Sequence, residues 1–117
     1  ALESFSKNSA LIGTNADGLY LTKDAGVSWT AKIFTGQSTT GTVKDLEFVN
    51  ENVGFMLHNT SAPVGSVHYT IDGGNDWAKL TTPTNAGLNS IVAVDVNTAF
   101  AVGKVSGGTG VVLKISG

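Results

Sequence analysis

The 117-residue chain contains no cysteine and no arginine; all seven of its basic residues are lysines. Without cysteine there is no disulfide and no thiolate metal site, although the compartment is left open. Without arginine the chain lacks the side chain that anionic substrates recruit for bidentate contacts, which argues against phosphate or carboxylate recognition. The formal net charge is -2 and the lysines are scattered, so no basic patch for nucleic acid is present. Charged residues make up 14% of the chain, against roughly 25% in ordinary soluble domains. No apolar run approaches the roughly 20 residues of a membrane-spanning helix. There is no P-loop and no Gly-x-Gly-x-x-Gly ahead of a helix. β-branched residues and Gly recur too often for a good helix. The chain begins at Ala1 rather than Met, which fits a processed form or an excised domain, and no targeting segment is legible.

What the chain has is 41% hydrophobic residues set among many Gly, Thr, Ser and Asn. That balance suits an all-β protein with many turns. It does not suit disorder, because apolar runs such as 90–96 and 111–115 would not stay solvated. The length suggests one domain at most.

The clearest pattern is a repeat. Thr22-Lys23-Asp24-Ala25-Gly26-Val27-Ser28-Trp29 and Thr70-Ile71-Asp72-Gly73-Gly74-Asn75-Asp76-Trp77 both read Thr-x-Asp-x-Gly-x-x-Trp, 48 residues apart. A second marker has the same rhythm. Asn8, Asn52 and Asn97, spaced by 44 and 45 residues, are each followed by a small residue two on and a large apolar residue three on. Six residues before each stands Leu2, Leu46 or Ile91. Ser116 lies 46 residues after Thr70, which sets the tail at the approach to a third copy of the motif. Three units follow, about 1–40, 41–86 and 87–117, the last incomplete.

Each unit reads as β. In the second, strands are expected over 46–49, 53–59 with Gly54 a candidate bulge, 67–71 and 77–80. In the first they fall over 1–6, 9–14, 18–22 and 29–34, and in the third over 90–96, 98–105 and 111–115. Turn signals at 15–18, 50–52 and 106–108 separate them. Four short strands in about 46 residues is a propeller-blade signature. Apolar residues on both faces of strands such as 55–57 and 91–94 fit sheets covered on both sides.

At the two repeated motifs the chain resembles the aspartate-box (bacterial neuraminidase repeat) β-propellers, whose pattern is Ser/Thr-x-Asp-x-Gly-x-Thr-Trp. Thr22, Asp24, Gly26, Ser28 and Trp29 match, with Ser28 a mild departure. Thr70, Asp72, Gly74 and Trp77 match, with Asp76 in place of the hydroxyl residue. The resemblance implies an all-β segment of just under three four-stranded antiparallel blades, with the boxes joining third to fourth strands at the blade periphery. It also carries an expectation of a secreted or extracytoplasmic setting. The physics of the box is structural: Asp accepts from nearby N–H groups, Gly permits positive φ, and Trp buries a ring beneath the turn. A calcium-loop reading competes, but one or two carboxylates per box fall short of the oxygen ligands calcium wants. No cofactor or metal site is expected.

A propeller closes with roughly 4 to 8 blades. Under three would leave apolar faces and open edges exposed. The expectation is a homo-oligomer, in which two copies would give about six blades, or a piece of a longer propeller. Because the family includes sialidases, catalysis must be weighed. The resemblance implies an arginine triad, a nucleophilic Tyr and an acid/base Asp for that activity, and a chain without arginine cannot supply the triad. Tyr20 and Tyr69 occupy nearly equivalent positions and read as packing. Asp45, Glu47, Glu51 and Asp95 could contribute to a carboxylate pair, which other glycosidases hold about 5 to 10 Å apart. Glu47 has a counterpart in Glu3 but an apolar Val92 in the third unit, which favours a surface position. His58 and His68 come from neighbouring strands, but a metal would need a third ligand, so cross-strand packing is favoured. No Ser-His-Asp triad can be argued from spacing. Asn59-Thr60-Ser61 is a glycosylation sequon.

The reading is therefore a non-enzymatic binding or scaffold module, with contacts expected on loops 35–42, 60–65 and 81–87. Repeated sites in an oligomer give the avidity that glycan or surface binding uses. The alternatives are a fragment of a glycoside-hydrolase or sialidase-like propeller, and an assembly or stability factor.

Overall fold

Short apolar and β-branched runs, broken by Gly, Asn and Asp, form eleven strands and no helix among the described residues of the computed structural model, which are 2–4, 6–14, 18–34, 42–59, 65–80, 87–104 and 110–116. The strands group into three antiparallel sheets, each a simple up-and-down meander. The first sheet holds β1 (Leu2–Ser4), β2 (Ala10–Gly13), β3 (Leu19–Thr22) and β4 (Thr30–Ala31). The second holds β5 (Thr42–Phe48), β6 (Gly54–Asn59), β7 (Gly65–Thr70) and β8 (Ala78–Leu80). The third holds β9 (Gly87–Asp95), β10 (Thr98–Lys104) and β11 (Gly110–Ser116).

The sheets stack face to face around two cores. Leu11, Leu19 and Leu21 of the first sheet meet Val43, Leu46 and Met56 of the second, with Phe34 beside them. Phe55, Leu57 and Val67 on the other side of the second sheet meet Leu88, Ile91, Ala99, Ala101 and Ile115 of the third. The second sheet is thus covered on both sides, and all six residues of β6 are buried. A strand covered on both faces can be apolar without alternation. The outward faces differ. Val92, Phe100, Val102 and Val112 lie exposed on the third sheet.

Register refines several sequence expectations. Gly54 is not a bulge: it pairs regularly with Thr70 and Phe48. A Cβ there would stand 2.6 Å from the Phe48 ring, so the glycine makes room for that ring. The irregularities fall instead between Val43 and Asp45, Thr98 and Ala99, and Val102 and Gly103. Thr22 pairs with Ala10 and Thr70 with Gly54, whereas Ala99, the matching residue of the third unit, pairs with Ile115. Counting from the Asn marker agrees, since Thr70 − Asn52 and Ile115 − Asn97 are both 18 residues. The position set at Ser116 by a fixed 46-residue step is therefore held by buried Ile115, which offers no hydroxyl.

The same register separates the two tyrosines. Leu21 is the counterpart of Tyr69, and Tyr20 that of His68. A one-residue offset reverses the face of a strand. Tyr69 therefore packs at 5.2 Å on Phe55 and donates its hydroxyl to the Val96 carbonyl, while Tyr20 is 40% exposed on the outward face of the first sheet.

Candidate functional site

The two repeated turns are built alike. The Thr22 hydroxyl donates to Asp24 Oδ1 at 2.8 Å and accepts from the Gly26 N–H at 2.9 Å. Asp24 also accepts from the Ser28 N–H at 2.9 Å and from the Ser28 hydroxyl. These hydrogen bonds, from the Ser28 hydroxyl first, then the Ser28 N–H and the Thr22 hydroxyl, hold the Asp24 carboxyl at about 2. In the second turn Thr70 donates to Asp72 at 2.9 Å and accepts from Gly74 at 3.0 Å, and the Asp76 N–H donates to Asp72 at 2.9 Å. Burial pushes Asp72 upward, but the hydrogen bonds from Asp76 and Thr70 outweigh it and its pKa is lowered. The departures from the expected pattern fit this geometry: the backbone N–H at positions 28 and 76 makes the shared bond whatever the side chain.

Both turns need a left-handed pair. Gly73 and Gly74 have φ of 71° and 91°, and Ala25 and Gly26 have φ of 61° and 89°. Each turn is tied to its own sheet by a main-chain bond, Ala25 N–H to the Asn8 carbonyl and Gly73 N–H to the Asn52 carbonyl. The recurring Asn marker thus contributes its backbone. The tryptophans part company. Trp77 donates from Nε1 to the Gly74 carbonyl at 3.0 Å and stands edge-on to Phe48 at 6.2 Å. Trp29 is 40% exposed, in a cleft of about 230 Å³ lined by Ser4, Asn8, Thr22 and Gly26 among others. Ser4 stands where the second sheet has Phe48, so no ring is offered to Trp29 from that position.

The candidate carboxylates do not converge on a cleft. Asp95 accepts from the Asn97 N–H at 2.8 Å and closes the β9–β10 hairpin. Glu51 is exposed on the loop between β5 and β6. Asp45 accepts from the Ile91 N–H at 2.9 Å and the Ser90 hydroxyl at 3.3 Å, both on β9. Glu47 is not a free surface residue. Burial, then the charges of Glu3 and Asp45, raise its pKa, against a smaller lowering by the nearby Ala93 N–H. Glu3 makes the matching contact one sheet earlier, accepting from Phe48 N–H at 2.8 Å.

His58 and His68 are both buried in the second sheet, bridged by Ser66, whose Oγ lies 3.3 Å from His58 Nδ1 and 3.0 Å from His68 Nε2. Phe34 stands edge-on to both rings at 5.0 Å. This is packing with an internal hydrogen-bonded chain. Among the described residues no group of three or more His, Cys, Asp or Glu could hold a metal ion. The expected contact loops fall largely outside the described residues, at 35–41, 60–64 and 81–86. The inter-sheet roles of Asp45, Glu47 and Asn59 were missed from sequence. Their partners are main-chain groups, and the one available signal was the Glu3–Glu47 recurrence.

No family model matches the chain, and no curated protein matches it. Among solved structures it is similar to YCF48 bound to D1 peptide, with a TM-score of 0.77 and 15% identity over 99% of this chain. The fold is that of a β-propeller segment. The segment spans 35% of the YCF48 chain, and its three sheets take the place of blades. At that identity the likeness concerns the fold alone.

Proposed function

We propose that this propeller segment is a non-enzymatic binding and scaffold module whose ligand is a segment of another protein, in the manner of an assembly factor. The observation that carries the reading is the commitment of Asp45 and Asp95 to backbone N–H groups, with Glu47 partly buried at the sheet junction. A hydrolytic pair needs carboxylates facing a substrate, and these face the protein itself. The choice of ligand is supported by the structural neighbour, YCF48, which was solved bound to a peptide. We place the two turns with the aspartate-box family on their Thr-Asp-Gly-Trp pattern and hydrogen bonding, and we propose an extracytoplasmic setting.

The test is parallel screening of the whole chain on a peptide array and a glycan array, with fluorogenic glycosides and sialosides as turnover probes. Saturable peptide binding without turnover is the expected result. Glycan binding without peptide binding would move the module to a carbohydrate or surface role. Hydrolysis of any probe would return the enzyme-fragment reading.

A further inference from the structure

β5 and β9 each stand at one end of their sheet, so one edge of each has no partner strand. Unpaired strand edges invite wrong pairing and are commonly protected. Here carboxylates from the preceding sheet supply the protection. Glu3 accepts from the Phe48 N–H and Asp45 from the Ile91 N–H, and the Glu47 carboxylate lies near the Ala93 N–H. The arrangement repeats in register. Leu2 and Leu46, just before the two glutamates, pair with Ile12 and Met56, and the receiving residues Phe48 and Ala93 pair with Gly54 and Ala99. Each junction is thus an apolar layer with a carboxylate closing the free strand edge beside it.

The outward faces continue only half of this pattern. On the first sheet, Ser4 holds the receiving position, pairing with Ala10 as Phe48 pairs with Gly54. Among the described residues no carboxylate is bonded to its N–H. Tyr20 and Ile12, cross-strand neighbours, supply an apolar surface beside it. On the third sheet, Val92 holds the position of Glu3 and Glu47, and Ser90 that of Asp45. Val92 is 53% exposed and ready to be covered, yet it cannot accept a hydrogen bond.

We infer that the first sheet is covered by a blade of different sequence, one bearing a carboxylate on its inner strand where this chain has Val92, rather than by the third sheet of a second copy. Head-to-tail seating of two copies would bring Val92 against the Ser4 N–H. The amide would lose water and gain no acceptor, a loss neither existing junction suffers. A blade with Glu at that position extends the two existing junctions unchanged. This concerns what completes the propeller, and stands apart from which ligand it binds.

The test is sedimentation velocity on the whole chain and on its Val92→Glu and Val92→Lys variants, with amide exchange followed at Ser4. Position 92 is exposed, and Val92→Asp serves as a second carboxylate variant if Val92→Glu fails to fold. The wild-type chain is expected to form no closed ring of copies. A carboxylate at 92 is expected to tighten self-association at least tenfold over Val92→Lys and to slow exchange at Ser4. A closed ring formed by the wild-type chain would overturn the inference. So would carboxylate variants that associate no more tightly than the lysine variant.

Discussion

Asn59 and Leu88 hold each other at both ends: Asn59 Nδ2 donates to the Leu88 carbonyl at 2.6 Å, and the Leu88 N–H donates to Asn59 Oδ1 at 3.0 Å. This reciprocal pair joins β6 to β9, and Asn59 is 8% exposed. Asn59→Ala leaves two buried backbone groups unmet. The expected cost is roughly 2 to 6 kcal/mol, from about 1 to 3 for each group, read as a lower urea midpoint. The pair also occupies the acceptor of the sequon. Chain made in a glycosylating host is expected to carry no glycan at Asn59, and a glycosylated folded species by mass spectrometry would contradict the pairing.

The two threonine hydroxyls test the turns. Thr70→Val removes the acceptor of the Gly74 N–H, which is buried, whereas the Gly26 N–H served by Thr22 is more exposed. Thr70→Val is expected to cost about 1 to 3 kcal/mol, and Thr22→Val less, because water can replace the lost partner. Equal losses in thermal unfolding would show that burial does not set the difference.

Acid should act on the turns and on the sheet junction in opposite senses. Asp24 is held at about 2, below its ordinary 3.8, and Asp72 is also lowered. The folded chain therefore binds fewer protons at these groups. Their contribution is present above about 3.8 and is lost as pH falls toward 2. Glu47 is raised above its ordinary 4.5, so the folded chain binds more protons there. Its contribution is present below 4.5 and is lost as pH rises through the raised value. Glu47→Gln keeps the size of the side chain and removes the charge that burial, Glu3 and Asp45 all disfavour. Relative to wild type it is expected to gain stability as pH rises through that window, measured by urea midpoints at a series of pH values. A relative loss over the same range would count against the assignment.

Left-handed positions give a fourth test. A Cβ on Gly74 would be strained at φ 91° and would sit 3.0 Å from Leu11 Cδ1 across the sheet junction. Gly74→Ala is expected to cost about 1 to 3 kcal/mol. Ala25 already bears a side chain at φ 61°, where the second turn has Gly73. Ala25→Gly is expected to stabilise the chain by roughly 0.5 kcal/mol, the strain relieved less the entropy added to the unfolded state. Differential scanning calorimetry on both variants decides the signs.

The turns were legible because their hydrogen bonds close within a few residues, so Thr, Asp and Gly had to appear at fixed spacing. Strand order was legible for a similar reason, since each strand pairs with the next in sequence. The sheet junctions were not. Asp45 and Asn59 reach backbone groups on β9 that any residue could present, so nothing at Ile91 or Leu88 announces them. Tyr20 and Tyr69 misled because a single-residue offset, invisible in a motif, sends side chains to opposite faces. Trp29 and Trp77 share a motif but differ in surroundings, and Ser4 against Phe48 is the residue change that separates them.

The second sheet belongs to both cores, and this sets the order in which the molecule comes apart. Losing the first sheet dissolves only the cluster around Leu11 and Met56; losing the third dissolves only that around Phe55 and Ile115. Losing the middle sheet dissolves both at once. Opening therefore proceeds from the flanks inward, with β6 the last segment to release its amide hydrogens in native-state exchange.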